Sequence, residues 1–235
     1  MAKLIDGKDN GIPAAKLAAL AAIIGPALLF AGSALHPMNA DPHDTAAAFA
    51  EYAGDTYWLW SHAAQLIGVF LMGTAFVALI GSVRGTLATL GRIGISCTMA
   101  IAALLQAVDG VAVKAMADRL AVAVEPTKPA VFEAANAVRQ MEIGLAATFA
   151  LVTALTTFCL AIISLQSLNV PKWFIGLGIM SSTGLLLTAA TQAQTGFSPL
   201  AMAVSMPASL LLLLWTVISG LWLWRGTLKE TSFKY

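Results

Sequence analysis

A histidine and a glutamine three residues apart in an apolar run are the first candidates for chemistry in this 235-residue chain. His62 and Gln65 occur in the stretch WSHAAQLIGVFLMG, and residues at this spacing lie on nearly the same face of a helix. Gln106 and Asp109 repeat the spacing in another apolar run. A neutral imidazole can bind haem iron or a transition metal, and a carboxylate beside it orients the ring. A His–Asp pair can alternatively act as a general base.

These polar groups are expected to share one layer of a membrane. His62 and Gln65 follow the outer start of one predicted span, and Gln106 and Asp109 precede the outer end of the next. The mouth of a later span adds Arg139, Gln140 and Glu142. We therefore predict an outer-leaflet site in which His62 and Asp109 are catalytic, and in which His62, Gln65 and Gln106 bind a cofactor or a lipophilic small molecule. The alternative is a buried polar network that only fixes helix register and adds stability.

A second candidate site lies in the loop after the first apolar run. It contains His36, Asp41, His43 and Asp44, and two imidazoles with two carboxylates can hold zinc, copper or iron. The metal ligands predicted here are His36 and His43. Helix capping is the competing interpretation, because Asp41 before Pro42 resembles an N-cap and predicts a short helix over residues 42–53.

The elements that must position these residues are predicted from composition. Hydrophobic residues make up 59% of the chain and charged residues only 11%, whereas soluble domains carry about 25% charged residues. Apolar runs of spanning length are predicted to be helices, because a helix satisfies its own backbone in lipid. The fold class is therefore an all-α polytopic membrane protein, a single domain with six transmembrane helices near residues 17–35, 58–82, 93–113, 143–165, 173–191 and 200–224.

Charge and aromatic residues predict the orientation of these spans. Lys and Arg are concentrated in alternate loops, which the positive-inside rule assigns to the cytoplasm: Lys3, Lys8, Lys16, Arg84, Arg92, Lys172, Arg225, Lys229 and Lys234. Both termini are then cytoplasmic, in a bacterial inner membrane. The pattern of residues 114–142 predicts a projecting helical hairpin between spans three and four, with an ion pair between Lys114 and Asp118. The net charge of +1 gives no basic field for nucleic acid.

One stretch carries a local resemblance to a known family. Trp58-Leu59-Trp60-Ser61-His62, followed by Gly68, Gly73 and Phe76, resembles the histidine-bearing helix of the styrene oxide isomerase type of membrane haem protein. That resemblance implies that His62 holds haem b, whose ferric iron acts as a Lewis acid on an epoxide. The family has four spans where this chain has six. More broadly, the HP after span one and the W-x-H entering span two resemble small bacterial membrane proteins without an assigned activity.

Three classes of function remain open at this point. The chain is either an isomerase-type enzyme or binding protein with its site around His62, or a non-catalytic accessory subunit of a larger membrane complex, or a transporter. A transport path would need charges at the membrane midplane, and the predicted spans have none there, so transport ranks last. The expected partners are the lipid bilayer and either further copies of the chain or the subunits of a complex.

Overall fold

The computed structural model describes residues 14–81, 83–167 and 170–232. Within these residues the chain is all-helical, with 87% helix and no strands. The α-helices are α1 (Ala14–Leu35), α2 (Thr45–Gly54), α3 (Trp58–Ile80), α4 (Thr86–Gln106), α5 (Lys114–Ala121), α6 (Lys128–Ser167), α7 (Lys172–Thr195) and α8 (Pro199–Ser232). A π-helical segment, Ala107–Val113, joins α4 to α5 without a break.

Six helical stretches are long and apolar enough to cross a membrane. Each corresponds to one of the six predicted spans, so the prediction of six apolar helices is confirmed. The second stretch ends at Ile80, before the predicted end at residue 82. The third stretch begins at Thr86 and the fourth at Lys128, earlier than the predicted starts at 93 and 143, because a helix continues past the apolar run wherever its backbone hydrogen bonds continue. Ser82, Lys3, Lys8 and Lys234 lie outside the described residues.

The helical pattern predicted between spans three and four is confirmed. Helix α5 continues the third stretch as Lys114–Ala121, and α6 begins at Lys128 after a short break. Lys114 Nζ lies 2.5 Å from Asp118 Oδ1, one helical turn further on. Lys114 also donates to the backbone oxygen of Ala53 at 3.0 Å, which ties α5 to the end of α2.

The predicted cap of the short outer helix is wrong by one turn. Helix α2 begins at Thr45, and its N-cap is Asp44, whose Oδ1 accepts a hydrogen bond from the Ala47 N–H at 3.0 Å. Asp41 instead accepts from the His43 N–H at 2.9 Å. This local turn uses the Asp41 side chain before the helix starts, as aspartates commonly do ahead of a helix. Both loop carboxylates are therefore explained without a metal ion.

Helices α1 and α3 pack at very short range through glycines. A Cβ on Gly25 would lie 2.8 Å from the Gly68 oxygen, and one on Gly32 would lie 2.5 Å from the Ser61 oxygen. Small residues at such positions let helix backbones approach closely in membrane proteins. The contact at Gly32 fixes the end of α1, and hence His36, against the first turn of α3, where Ser61 and His62 lie.

An aromatic cluster covers this end of the helices. Phe49 and Tyr52 of α2 pack with Trp58 at the start of α3 and with Val113 and Ala117 of the third stretch, and these side chains are 7% exposed or less. Rings this large dominate the burial of apolar area. The cluster therefore holds α2 and the turn after α1 over the polar residues below them.

Candidate functional site

The centre of the candidate site is the pair formed by His62 and Asp109. His62 Nε2 lies 3.1 Å from Asp109 Oδ2, and the side chains are 2% and 15% exposed. The geometry of this contact is not that of a hydrogen bond, and within the described chain His62 Nε2 and Asp109 Oδ1 have no hydrogen-bond partner. The structure therefore brings together the two residues predicted as catalytic, and each has one atom that is still free to bind a ligand or a proton.

The orientation of the His62 ring is set by its own helix. Nδ1 lies 2.6 Å from the Trp58 oxygen, and because a carbonyl oxygen can only accept, this nitrogen carries a proton. Ser61 Oγ donates to the same oxygen at 2.8 Å. The Trp58 ring lies against the imidazole, with centroids 4.5 Å apart. In a neutral His62 ring, Nε2 then carries a lone pair, and Asp109 Oδ2 lies beside this lone pair rather than in line with it.

The π-helical segment places Asp109 opposite His62. Such segments are rare and frequently occur at functional sites. Trp58 Nε1 donates to the Gly110 oxygen at 3.1 Å, which links the start of α3 to this segment. Gly110 leaves room for the histidine, since a Cβ at that position would lie 3.0 Å from His62 Cβ. No signal in the sequence pointed to the π-helical turns.

His36 joins the pair from the end of α1. Its ring centroid lies 5.2 Å from that of His62 and 4.8 Å from that of Trp58. One ligand atom from each of His36, His62 and Asp109 lies within 4.8 Å of the others. The His36 Nδ1 is 2.9 Å from the Pro37 oxygen, so this histidine also points Nδ1–H at a backbone carbonyl. Burial lowers the pKa of His36 from its ordinary value of 6.5, against the opposing charge of Asp109.

The turn that carries His36 is held by Glu51. Its Oε1 accepts from the Asn39 N–H at 2.9 Å and from Asn39 Nδ2 at 2.8 Å, and its Oε2 accepts from the Ala40 N–H at 2.9 Å. Desolvation opposes ionisation of Glu51, but these three hydrogen bonds outweigh it and leave its pKa below the ordinary value. A charged Glu51 therefore clamps the turn onto α2.

The remaining predicted site residues divide into two groups. Gln106 Nε2 lies 3.4 Å from Gln65 Oε1, so the two glutamines form a second contact, one helical turn along from His62 and Asp109. Their predicted role in cofactor binding stays a prediction. His43 is exposed and is not part of the group formed by His36, His62 and Asp109. The structure therefore brings His36 to a histidine of α3 rather than to its neighbour in the loop.

A cleft of about 590 Å³ opens beside this group. Its wall includes His36, Asp109 and Glu142, while Met202 and Met206 of α8 contribute apolar surface. Glu142 is 5% exposed, and its Oε2 has no hydrogen-bond partner among the described residues. The sequence predicts that Glu142 lies at the mouth of a span, and it predicts no function for this residue.

Arg139 is fully buried behind the cleft. Its two terminal nitrogens donate to the Tyr52 hydroxyl and the Pro42 oxygen, both at 3.0 Å. Its guanidinium also lies 5.5 Å from the centroid of the Tyr52 ring and 5.6 Å from that of Phe197. A planar guanidinium beside two aromatic rings is stabilised by its contact with each ring. Arg139 therefore fastens α6 to α2 and to the turn before it.

The assembled side chains bring two imidazole nitrogens and a carboxylate oxygen within 4.8 Å of one another, and a further carboxylate, that of Glu142, lines the adjacent cleft. Zinc and non-haem iron(II) both bind two histidines and one carboxylate, with positions left for water or substrate. The same residues could exchange a proton without a metal. Comparison of the chain with protein-family models, with curated proteins and with solved structures found no match.

Proposed function

We propose that this chain is a membrane-embedded metalloprotein that binds one divalent transition-metal ion at His36, His62 and Asp109. The ion acts on a lipophilic small molecule in the adjacent cleft. The reaction class that suits the residues is metal-assisted hydrolysis, with Glu142 accepting a proton from water. The site lies in the outer leaflet of a bacterial inner membrane, with both chain termini in the cytoplasm and the hairpin of α5 and α6 projecting outward.

The observation that carries the proposal is the direction of the two imidazole rings. Both histidines turn Nδ1 toward a backbone carbonyl, at 2.6 Å for His62 and 2.9 Å for His36. Histidines that ligate metals almost always donate their other ring N–H in this way, because it fixes the tautomer and the ring orientation. The lone pair of His62 Nε2 then lies beside a carboxylate oxygen 3.1 Å away, and a cation bound by both atoms removes their repulsion.

The cleft supports a lipophilic substrate. Its volume of about 590 Å³ is within the range of roughly 300–1,000 Å³ that small-molecule sites occupy. Phe197, Met202 and Met206 line one side, while His36, Asp109 and Glu142 supply a few convergent polar groups. This combination of an apolar wall and few polar groups is typical of ligand sites.

Calorimetric titration with Zn²⁺ of chelator-treated protein in detergent tests the metal site. We expect one ion per chain for the wild type, and binding weakened by more than about 100-fold in His36→Ala, because loss of the hydrogen-bond partner behind a metal ligand alone costs about 10–100-fold. His43→Ala is the matched control and should bind as the wild type does. Equal affinity in His36→Ala and the wild type, with both folded, would refute the proposed ligand set.

Haem b is the second candidate, because His36 lines the cleft together with Met202 and Met206, and the His62 ring lies 5.2 Å from the His36 ring. Haem iron could bind His62 Nε2 only if Asp109 moved away, since the Asp109 Oδ2 lies 3.1 Å from that nitrogen. An absorption spectrum of protein from haem-replete cells tests this candidate. A Soret band that disappears in His62→Ala would mean that the site binds haem instead of a non-haem metal ion.

An accessory role in a membrane complex makes different predictions. Such a subunit would co-purify in fixed ratio with partners, and His62→Ala would lower assembly rather than ligand binding. Native mass spectrometry of the solubilised protein distinguishes a complex from a single chain or a homo-oligomer. Transport remains the lowest-ranked proposal, because the proposed site places its charged groups near one end of the helices.

A further inference from the structure

A second cavity lies inside the helix bundle and shares no lining residue with the cleft beside His36. Its volume is about 260 Å³, and all six long helical stretches contribute to its wall. The wall is mostly apolar, with Met72 and Phe76 of α3 and Leu185 of α7 among its residues. None of its lining residues is charged.

Two buried polar atoms on this wall have no hydrogen-bond partner in the described part of the chain. They are Thr153 Oγ1 and Gln192 Oε1, in side chains that are only 6% and 9% exposed. Buried polar groups are usually hydrogen-bonded, and a specific exception calls for an explanation. In a membrane interior such polar groups mark sites more often than they face lipid.

Thr153 differs from two other threonines of the same helix, Thr148 and Thr156. Thr148 donates to the Gly144 oxygen and Thr156 to the Val152 oxygen, each four residues back. This bond to the preceding turn is the ordinary way for threonine to satisfy its hydroxyl in an apolar helix. The Thr153 hydroxyl makes no such bond and remains available to the cavity.

We propose that this inner cavity binds a small uncharged amphiphile, with an apolar body and one hydroxyl group. The ligand hydroxyl donates to Gln192 Oε1, while the Thr153 hydroxyl is a second polar group on the same wall. An apolar protein cavity of about 150 Å³ holds benzene, so this one has room for roughly ten non-hydrogen atoms by proportion. A charged ligand is excluded, because no lining side chain could compensate its charge in this environment.

Gln192 also indicates the route of entry. The same residue lines a polar pocket of about 330 Å³, together with Arg139 and Gln194. A ligand that enters from this pocket therefore meets the Gln192 amide before it reaches the apolar chamber. The inference does not depend on a metal ion, since His36, His62 and Asp109 line neither space.

Binding of 4-fluorobenzyl alcohol to the purified full chain, followed by fluorine NMR, tests the proposal, with 4-fluorotoluene as the probe that lacks the hydroxyl. We expect saturable binding of the alcohol, at about fivefold higher affinity than the toluene, as one hydrogen bond gives. Gln192→Leu should remove this preference, whereas Thr153→Val should change the affinity for both probes by the same factor. Ala150→Leu should abolish binding, because it adds a bulky side chain to the cavity wall.

Thr183→Val is the matched control, because this exposed threonine of α7 bonds to the Ile179 oxygen and does not line the cavity. It should keep both the affinity and the preference of the wild type. Thermal unfolding of every variant separates loss of binding from loss of folding. Absence of saturable binding in the wild type, or an unchanged preference in folded Gln192→Leu, would overturn the proposal.

Discussion

His62 Nε2 lies 3.1 Å from Asp109 Oδ2, although the Nδ1 proton of the same ring is already directed at the Trp58 oxygen. A neutral imidazole in this orientation places a lone pair beside a carboxylate oxygen. Only a positive charge between the two atoms makes the contact favourable, and that charge is either a second proton or a metal ion. The presence of His36 as a third donor within 4.8 Å favours the metal ion.

Replacing the carboxylate while keeping its shape separates these two explanations. We expect Asp109→Asn to weaken Zn²⁺ binding by more than about 100-fold, because it removes an anionic ligand. Asp118→Asn removes an exposed carboxylate of α5, which lies beside Lys114, and should leave Zn²⁺ binding unchanged. Isothermal titration of the three proteins measures the difference. An unchanged affinity in Asp109→Asn would leave the imidazolium–carboxylate pair as the explanation.

The close packing of Gly110 against His62 predicts a steric effect. A Cβ at Gly110 would lie 3.0 Å from His62 Cβ, so Gly110→Ala should lower the free energy of unfolding by about 1–3 kcal/mol, as overpacking does. Gly144→Ala is the control, since a Cβ there meets nothing within 4 Å, and it should be neutral or slightly stabilising. Thermal unfolding in detergent measures both variants. Equal melting temperatures for the two would contradict the described contact.

The burial of His36 predicts a pH dependence of stability in metal-free protein. Its pKa is lowered from 6.5 by burial, so the unfolded chain takes up the proton more readily than the folded chain. Stability is therefore complete above pH 6.5 and falls as the pH decreases below this value. We expect His36→Gln to reduce this loss between pH 7.5 and pH 5.5, whereas His43→Gln should melt as the wild type does at each pH. Parallel curves for His36→Gln and the wild type would contradict a lowered pKa for this histidine.

Arg139 is expected to be intolerant of lysine. Its guanidinium donates to the Tyr52 hydroxyl and the Pro42 oxygen and lies near aromatic rings, and a lysine cannot reproduce this planar geometry. Arg139→Lys should lower the free energy of unfolding by about 1–3 kcal/mol, the range for hydrogen bonds to charged groups. The exposed Arg119 gives the control, because Arg119→Lys should leave the melting temperature unchanged. A neutral Arg139→Lys would mean that the buried contacts contribute little.

The long helices and part of the site could be predicted from sequence. Apolar length alone identifies the six stretches, because lipid requires each span to satisfy its own backbone. The spacing of His62 and Gln65 in one stretch, and of Gln106 and Asp109 in another, also anticipates that these residues meet. They do, as two contacts between neighbouring helices.

The other parts of the site depend on tertiary contacts that leave no local pattern. Closeness in sequence predicts that His36 pairs with His43, whereas the tight packing at Gly32 carries His36 to α3. The π-helical turns at Asp109 involve no distinctive residue type. The proline after Asp41 predicts the α2 cap at Asp41, but the local turn there delays the helix start to Thr45.

The metal content of the purified protein tests the central claim most directly. The wild type, expressed in medium supplemented with zinc and iron and purified without chelator, would be analysed by inductively coupled plasma mass spectrometry beside His62→Ala and His43→Ala. We predict about one equivalent of zinc or iron per chain in the wild type and in His43→Ala, and near-complete loss in folded His62→Ala. A wild type without metal, or a His62→Ala variant that keeps its full equivalent, would contradict a metal site at His36, His62 and Asp109.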